Sequence, residues 1–183
     1  MSIIKQNNIQ KRAVSSAYLK NRIIFNKKYQ KFDFKKWQYK SYKKIIKNFF
    51  KKKKKEKVKI LDIGSGDGVQ VEHFKKIFKN PHIWCLDYSK KSLKSLRTKY
   101  NSRNIKTVQI DMDELASFIK KKKFKNFFNI VHSSYALYYA KNQIKVLNTM
   151  RDSLINNGLF LISAPSEPHE MVNFINNNYK IPK

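Results

Sequence analysis

The chain has 183 residues, 41% of them hydrophobic, a formal net charge of +29 and a single cysteine, Cys85. That length suits about one domain with a sizeable core, the hydrophobic share argues against wholesale disorder, and one cysteine rules out an internal disulfide. No apolar run approaches the ~20 residues of a membrane helix and the N-terminal "MSIIKQNNIQKR" lacks the apolar stretch of a secretion signal, so no membrane insertion and a cytoplasmic location are expected.

Residues 1–50 contain no glycine or proline and read as helical. Tyr18, Phe25, Tyr29, Phe32, Trp37, Tyr42, Ile46 and Phe49 recur mostly at three- to five-residue steps, a spacing compatible with amphipathic helices. We read residues 1–57 as a helical, aromatic and lysine-rich segment that ends in "KKKKKEK", and residues 58–183 as the main domain. Residues around 12–50 are expected to cover the main domain's site, with Tyr18, Tyr29 and Trp37 reaching into it.

From Val58 the pattern alternates. "VKILDI" (58–63) is a short β-rich run and "VQVEHFKKIFK" (69–79) has helical periodicity, stopped by Asn80-Pro81. "HIWCLD" (82–87) is a second strand, in which Cys85 reads as a small buried apolar side chain. "SKKSLKSLRTKY" (89–100) is a helix with Ser89 as N-cap, "IKTVQI" (105–110) a third strand and "DELASFIKKKK" (113–123) a helix. "FFNIVHSS" (127–134) is a fourth strand. "KNQIKVLNTMRDSLIN" (141–156) is a helix, with Ile144, Val146, Leu147, Met150 and Leu154 apolar and Gly158 ending it. "LFLISAP" (159–165) is a fifth strand. This alternation predicts an α/β fold, a parallel sheet of about five strands with helices on both faces. In such sheets ligands bind at the carboxyl ends of the strands.

Of the chain's four glycines, Gly64, Gly66 and Gly68 follow the first strand in "LDIGSGDG". Glycine permits positive φ and close approach of a ligand to the backbone. The G-x-G-x-G spacing lacks the lysine and serine or threonine of a phosphate-binding P-loop. It also departs from the G-x-G-x-x-G dinucleotide fingerprint, and Asp67 inside the loop would repel a pyrophosphate. The second strand ends in Asp87, placed to bind two ribose hydroxyls. Of twelve carboxylates, Asp62, Asp67, Asp87, Asp111, Asp113 and Glu114 gather in or just after the first three strands. Helix capping explains Asp113 and Glu114, whereas Asp62, Asp87 and Asp111 together suggest a nucleoside-like ligand that carries positive charge.

This constellation resembles the class I S-adenosylmethionine-dependent methyltransferases, which have a Rossmann-like fold. The resemblance spans about residues 58–165 and rests on "VKILDIGSGDG", "WCLDYS", "VQIDMDEL", "FNIVHSSYALYYA" and "MRDSLINNGLFLIS". It implies S-adenosyl-L-methionine as cofactor. It assigns Asp62, Gly64, Ser65, Gly66 and Gly68 to the methionine portion, Asp87 to the ribose, and Tyr88, Asp111 and Met112 to the adenine. It places His132, Ser133, Ser134 and Tyr135 beside cofactor and acceptor, with His132 and Tyr135 as candidate catalytic residues and no metal. His132 also reads as a structural histidine of an apolar strand, and His73 as a surface or helix-packing residue.

"HSSYAL" after the fourth strand carries no proline, unlike the Asp/Asn-Pro-Pro-Tyr/Phe motif of many nucleic-acid amino-methyltransferases. The resemblance therefore favours a small-molecule acceptor and leaves the attacked atom open. The alternatives are a tRNA or rRNA methyltransferase and a cofactor-binding or partner module without catalysis. The family's C-terminal strand hairpin has no room in the 18 residues after Pro165, so a truncated domain or an edge position for the fifth strand is expected, with part of the acceptor pocket missing.

Of 41 basic residues, 36 are lysine, many in runs such as 51–57 and 120–123. Arginine, the residue suited to bidentate phosphate and guanine contacts, is scarce. Unrelated RNAs are expected to bind alike, losing about tenfold or more in affinity between ~50 and ~200 mM salt. Fluorescence anisotropy with several RNAs checks this, and a strong preference for one tRNA at physiological salt would contradict it.

Overall fold

The apolar runs pair as one all-parallel sheet. Strands β1 (Lys59–Ile63), β2 (His82–Asp87), β3 (Ile105–Gln109), β4 (Phe128–Ser134) and β5 (Leu154–Ser163) lie in the order β3-β2-β1-β4-β5. This computed structural model describes Ile24, Lys28, residues 33–50 and residues 57–164. Two units divide the chain, Phe34–Ala164 and Met1–Asp33 with Pro165–Lys183. Every element named below belongs to Phe34–Ala164.

The strands alternate with helices α1 (Phe34–Phe50), α2 (Val69–Ile77), α3 (Lys90–Lys99), α4 (Leu115–Lys122) and α5 (Gln143–Asp152). A parallel crossover is right-handed. The chain steps from β1 outward through β2 to β3, then returns to the other side of β1 for β4 and β5, so the two sets of crossover helices must lie on opposite faces. The core follows this rule. Val71, Phe74 and Leu96 from α2 and α3 pack on Ile60, Ile83 and Cys85. Leu115, Phe118, Val146 and Met150 from α4 and α5 pack on Leu61, Ile63 and Leu86 of the opposite face.

On the α2–α3 face, β4 and β5 receive no crossover helix, and α1 fills that place. Its buried residues, Gln38, Tyr42 and Ile46, recur every four positions and form one stripe. Ile46 joins the apolar cluster of that face, and Tyr42 stacks on Phe74 at 6.4 Å. Trp37 and Phe49 from the same aromatic series are 54% and 38% exposed. Tyr18, Phe25, Tyr29 and Phe32 lie outside the described residues.

Most predicted boundaries fall within two residues of the observed ones, and Ser89 caps α3 by accepting from the Ser92 amide. The predicted end of the last helix and the predicted start of the fifth strand at 159 both fail. The helix predicted over 141–156 ends at Asp152, and Leu154 already belongs to β5. Gly158 does not end that helix; it lies inside β5 at a bulge, where the register jumps from Phe128↔Leu154 to Ile130↔Leu159. Asn157 takes φ 57° there. Leu154 continues the i, i+4 series of Val146 and Met150, and it is buried as a helical residue would be, so periodicity alone could not separate the two readings. Ile144, predicted on the apolar side, is 73% exposed. No helix among the described residues is long and apolar enough to cross a membrane.

Glu72 on α2 ties three helices. It meets Lys35 of α1 at 2.7 Å, Lys76 of α2 at 2.8 Å and Lys99 of α3 at 3.8 Å. Hydrogen bonds from Lys35 and Lys76 lower its pKa to about 2. The neighbouring His73 is 1% exposed, bonds to Gln70 Oε1 through Nδ1 at 3.1 Å, and leaves Nε2 without a partner. Burial first, then the charges of Lys35 and Lys76, lower its pKa from 6.5 to about 4, while Glu72 pulls the other way. Its folded-state pKa lies below the unfolded value, so its contribution to stability is present above about pH 6.5 and is lost as pH falls toward 4. Glu72 titrates in a lower window. We expect the protein to lose about 2 kcal/mol between pH 7 and pH 5 through His73, and His73→Leu to flatten that slope in urea unfolding.

Candidate functional site

The glycine turn after β1 is stitched to the end of β2. The amides of Gly64 and Ser65 both donate to the Leu86 carbonyl, at 2.8 and 3.0 Å. The Ser65 hydroxyl, almost fully buried, turns to that same carbonyl at 3.3 Å. Gly64, Gly66 and Gly68 all take positive φ, at 73°, 53° and 87°, a region that only glycine visits freely. They differ in surroundings. A Cβ on Gly64 would collide with the Cβ of Ala136, and one on Gly68 would meet Tyr100 and Leu96, whereas nothing lies within 4 Å of a Cβ on Gly66. The turn is therefore closed against protein at its two ends and open at Gly66.

Asp87, the last residue of β2, crosses to this turn. Its Oδ2 accepts from the Gly66 amide at 2.8 Å and its Oδ1 from the Ser89 amide at 2.7 Å. Each oxygen keeps a second lone pair. Burial raises the pKa of Asp87, two amides oppose that shift, and the negative charge of Asp62 adds to it. Tyr88 follows, 66% exposed. After β3, Asp111 caps a short 3-10 turn (Met112–Glu114) by accepting from the Asp113 amide at 3.0 Å. The Asp113 carboxylate instead accepts from the amides of Lys141 and Asn142 at 3.0–3.1 Å and fastens the segment after β4. Among the described residues no group of His, Cys, Asp and Glu has the makings of a metal site.

The end of β4 lies beside β1. Ser133 is buried and its hydroxyl donates to the Ile63 carbonyl at 2.9 Å. His132 is 0% exposed, with Nδ1 on Asp62 Oδ1 at 2.7 Å and Nε2 on Tyr42 Oη at 2.8 Å. With both nitrogens engaged and no surface exposed, it is not arranged as a base facing an acceptor. Tyr135 takes φ 52° and meets Phe34 of α1 edge-on at 5.6 Å. The N-terminal end of α1 thus reaches the carboxyl end of the sheet, where Gln38 also donates to Ser134 Oγ at 2.9 Å.

The structure brings Asp62, Gly64, Ser65, Gly66, Asp87 and Ser133 together at the adjoining ends of β1, β2 and β4, with Asp111 and Met112 at the end of β3. Sequence reasoning missed Tyr42, Gln38 and Ala136 as parts of this region. Tyr42 showed only a helical spacing, Gln38 carried no signal of its own, and nothing local marks Ala136 as the partner of Gly64. Gly64→Ala is expected to cost more than about 2 kcal/mol, from strained φ plus collision, and Gly66→Ala only about 1 kcal/mol. Chemical denaturation of both variants checks this, and equal losses would mean that Ala136 is not seated on the turn.

A family model described as a methyltransferase domain matches residues 54–180. No curated protein sequence matches the chain significantly. Among solved structures, the plantazolicin methyltransferase BpumL in complex with a pentazolic desmethylPZN analog and SAH superposes with a TM-score of 0.66 at 16% identity, over 98% of this chain and 64% of that one. In complex with SAH alone it gives 0.61 at 18% identity, over 84% and 55%. The CurJ carbon methyltransferase gives 0.60 at 16% identity, over 70% and 35%. The chain spans about half the length of the first solved methyltransferases it matches, from 45% to 55%. Its matched domain and its β3-β2-β1-β4-β5 sheet with a glycine turn after β1 lead to one conclusion: the chain belongs to the methyltransferase-domain family and has the Rossmann-like fold of the class I S-adenosylmethionine-dependent methyltransferases.

Proposed function

We propose that this protein binds S-adenosyl-L-methionine at the glycine turn and transfers its methyl group to a small-molecule acceptor. The observation that carries this reading is the junction of the turn with Asp87, where the Gly66 amide bonds to Asp87 Oδ2 at 2.8 Å beside open space. The residues present fit the cofactor. Gly66 leaves room for close approach to the backbone, and Asp87 keeps lone pairs for two ribose hydroxyls. Tyr88 offers an exposed ring, and Asp111 with the Met112 amide stands at the next strand end. Asp62 Oδ2 is buried without a protein partner, and the charge of Asp62 acts on Asp87. Two carboxylates in electrostatic contact favour a cationic ligand over an anionic one.

When bound, the cofactor supplies a methyl on a sulfonium, whose displacement by an acceptor lone pair leaves a neutral thioether. The protein's share is then orientation and exclusion of water. Asp87 and the turn fix the nucleoside end. Phe34 and Tyr135 form an aromatic wall beside the end of β4 and help keep water out. His132, fully engaged, serves structure and positioning, and no residue is assigned as a general base. A small acceptor is supported by the aromatic lining and by the neighbour BpumL, which was solved with a desmethylPZN analog.

Calorimetry with S-adenosylhomocysteine tests the binding half of this reading. Asp87→Ala is expected to weaken binding roughly 10- to 100-fold, the loss of charged hydrogen bonds worth about 1.5–3 kcal/mol. Unchanged affinity would remove Asp87 from the site. Incubation with methyl-labelled S-adenosylmethionine and either RNA or small-molecule extracts tests the acceptor, since label confined to RNA would replace the small-molecule reading.

A further inference from the structure

The glycine turn adjoins a chain of buried polar side chains that nucleoside binding by Asp87 does not explain. Asp62 of β1 and His132 of β4 are register partners, each 0% exposed. The Asp62 carboxylate accepts from His132 Nδ1–H at 2.7 Å, and on that tautomer Nε2 is left as an acceptor. The Tyr42 hydroxyl fills that role at 2.8 Å. Tyr42 in turn accepts from the Ser163 hydroxyl at 2.6 Å and from the Gln38 amide at 3.1 Å. Burial raises the Tyr42 pKa above 10.0 against the opposing pull of the Ser163 bond, and Asp62 adds to the rise, so the phenol stays protonated and remains a donor. The donors run in one direction, from α1 and β5 through His132 to Asp62.

This chain ends in an unmatched atom. Asp62 Oδ2 is buried and, among the described residues, has no protein partner. A lone carboxylate oxygen is costly in an apolar setting unless a ligand or an ordered water answers it. Oδ1 is held by His132 Nδ1 at 2.7 Å, so Oδ2 is the oxygen left over. The matching ligand group is a cation, since Asp62 and Asp87 already raise the negative potential at the strand ends.

The geometry points to Tyr42 and His132 as positioning residues that orient Asp62 so that Oδ2, directly or through one water, receives an ammonium of the ligand at the glycine turn, which makes the seating of α1 part of the binding site. This rests on the methyltransferase reading above, whose cofactor carries an ammonium on its amino-acid portion. The competing explanation is that the network only anchors α1 on β4 and β5.

The two separate on a pair of probes, S-adenosylhomocysteine and 5′-methylthioadenosine, which lacks the ammonium-bearing portion. Calorimetry with the full chain is expected to show Tyr42→Phe and His132→Gln each weakening S-adenosylhomocysteine about tenfold, the loss of one oriented hydrogen bond to a charged group. Affinity for 5′-methylthioadenosine should change less than about twofold. In an Asp62→Asn background, Tyr42→Phe should have no further effect on S-adenosylhomocysteine. Tyr42→Phe keeps the ring packed on Phe74, so it decides the matter should His132→Gln fail to fold. Equal losses for both probes, or none for either, would overturn the positioning role alone. Failure of the unaltered chain to bind S-adenosylhomocysteine would overturn the methyltransferase reading and this inference with it.

Discussion

The handedness of the parallel crossovers is the constraint on which the rest depends. Strands added on one side of β1 carry their helices on one face, and strands added on the other side must carry them on the opposite face. The order β3-β2-β1-β4-β5 therefore parts the connections at β1 and β4, and the chain leaves these two strand ends in diverging directions. A crevice at that place is a consequence of topology before any side chain is considered. Asp62 and His132 sit there as register partners, with the glycine turn directly beyond β1. The same constraint strips β4 and β5 of cover on one face, and α1 supplies it.

The charge distribution follows from this arrangement. A chain of net charge +29 holds six of its twelve carboxylates within the first three strands or just past their ends. Three of them have structural roles that tolerate their charge. Asp87 accepts two backbone amides, Asp113 holds the amides of Lys141 and Asn142, and Asp111 caps a turn. At Asp87 the amide donors oppose the rise in pKa that burial imposes. Lysines on α1, α2 and α3 converge on Glu72 in the first turn of α2, just past the glycine turn.

The buried polar network between α1 and the sheet sets this core apart from a purely apolar one. A phenol, an imidazole and a carboxamide, shielded from solvent, stabilise a fold only when their hydrogen bonds are made. Here they are made in a single directed series, so α1 has one register on the sheet. A sliding or rotated helix would strand Tyr42, Gln38 and His132 together. The series ends at Asp62, next to the glycine turn.

The sequence by itself determined the α/β class, the first four strands within about one residue, the Ser89 cap, and which glycines and carboxylates stand at the strand ends. Period-two and period-3.6 patterns and glycine spacing are local signals, and burial on both faces writes each parallel strand as a short apolar run. It could not separate the end of α5 from the start of β5, because Leu154 is buried under either reading. It marked Asp62, Gly66 and Asp87 as functional but not the Gly66–Asp87 bond that joins two strand ends. It saw His132 without its partners, since Asp62 lies 70 residues away and Tyr42 lies 90. Those contacts exist only after β4 has inserted beside β1 and α1 has settled on the uncovered face, and no local pattern encodes a pairing that chain topology creates.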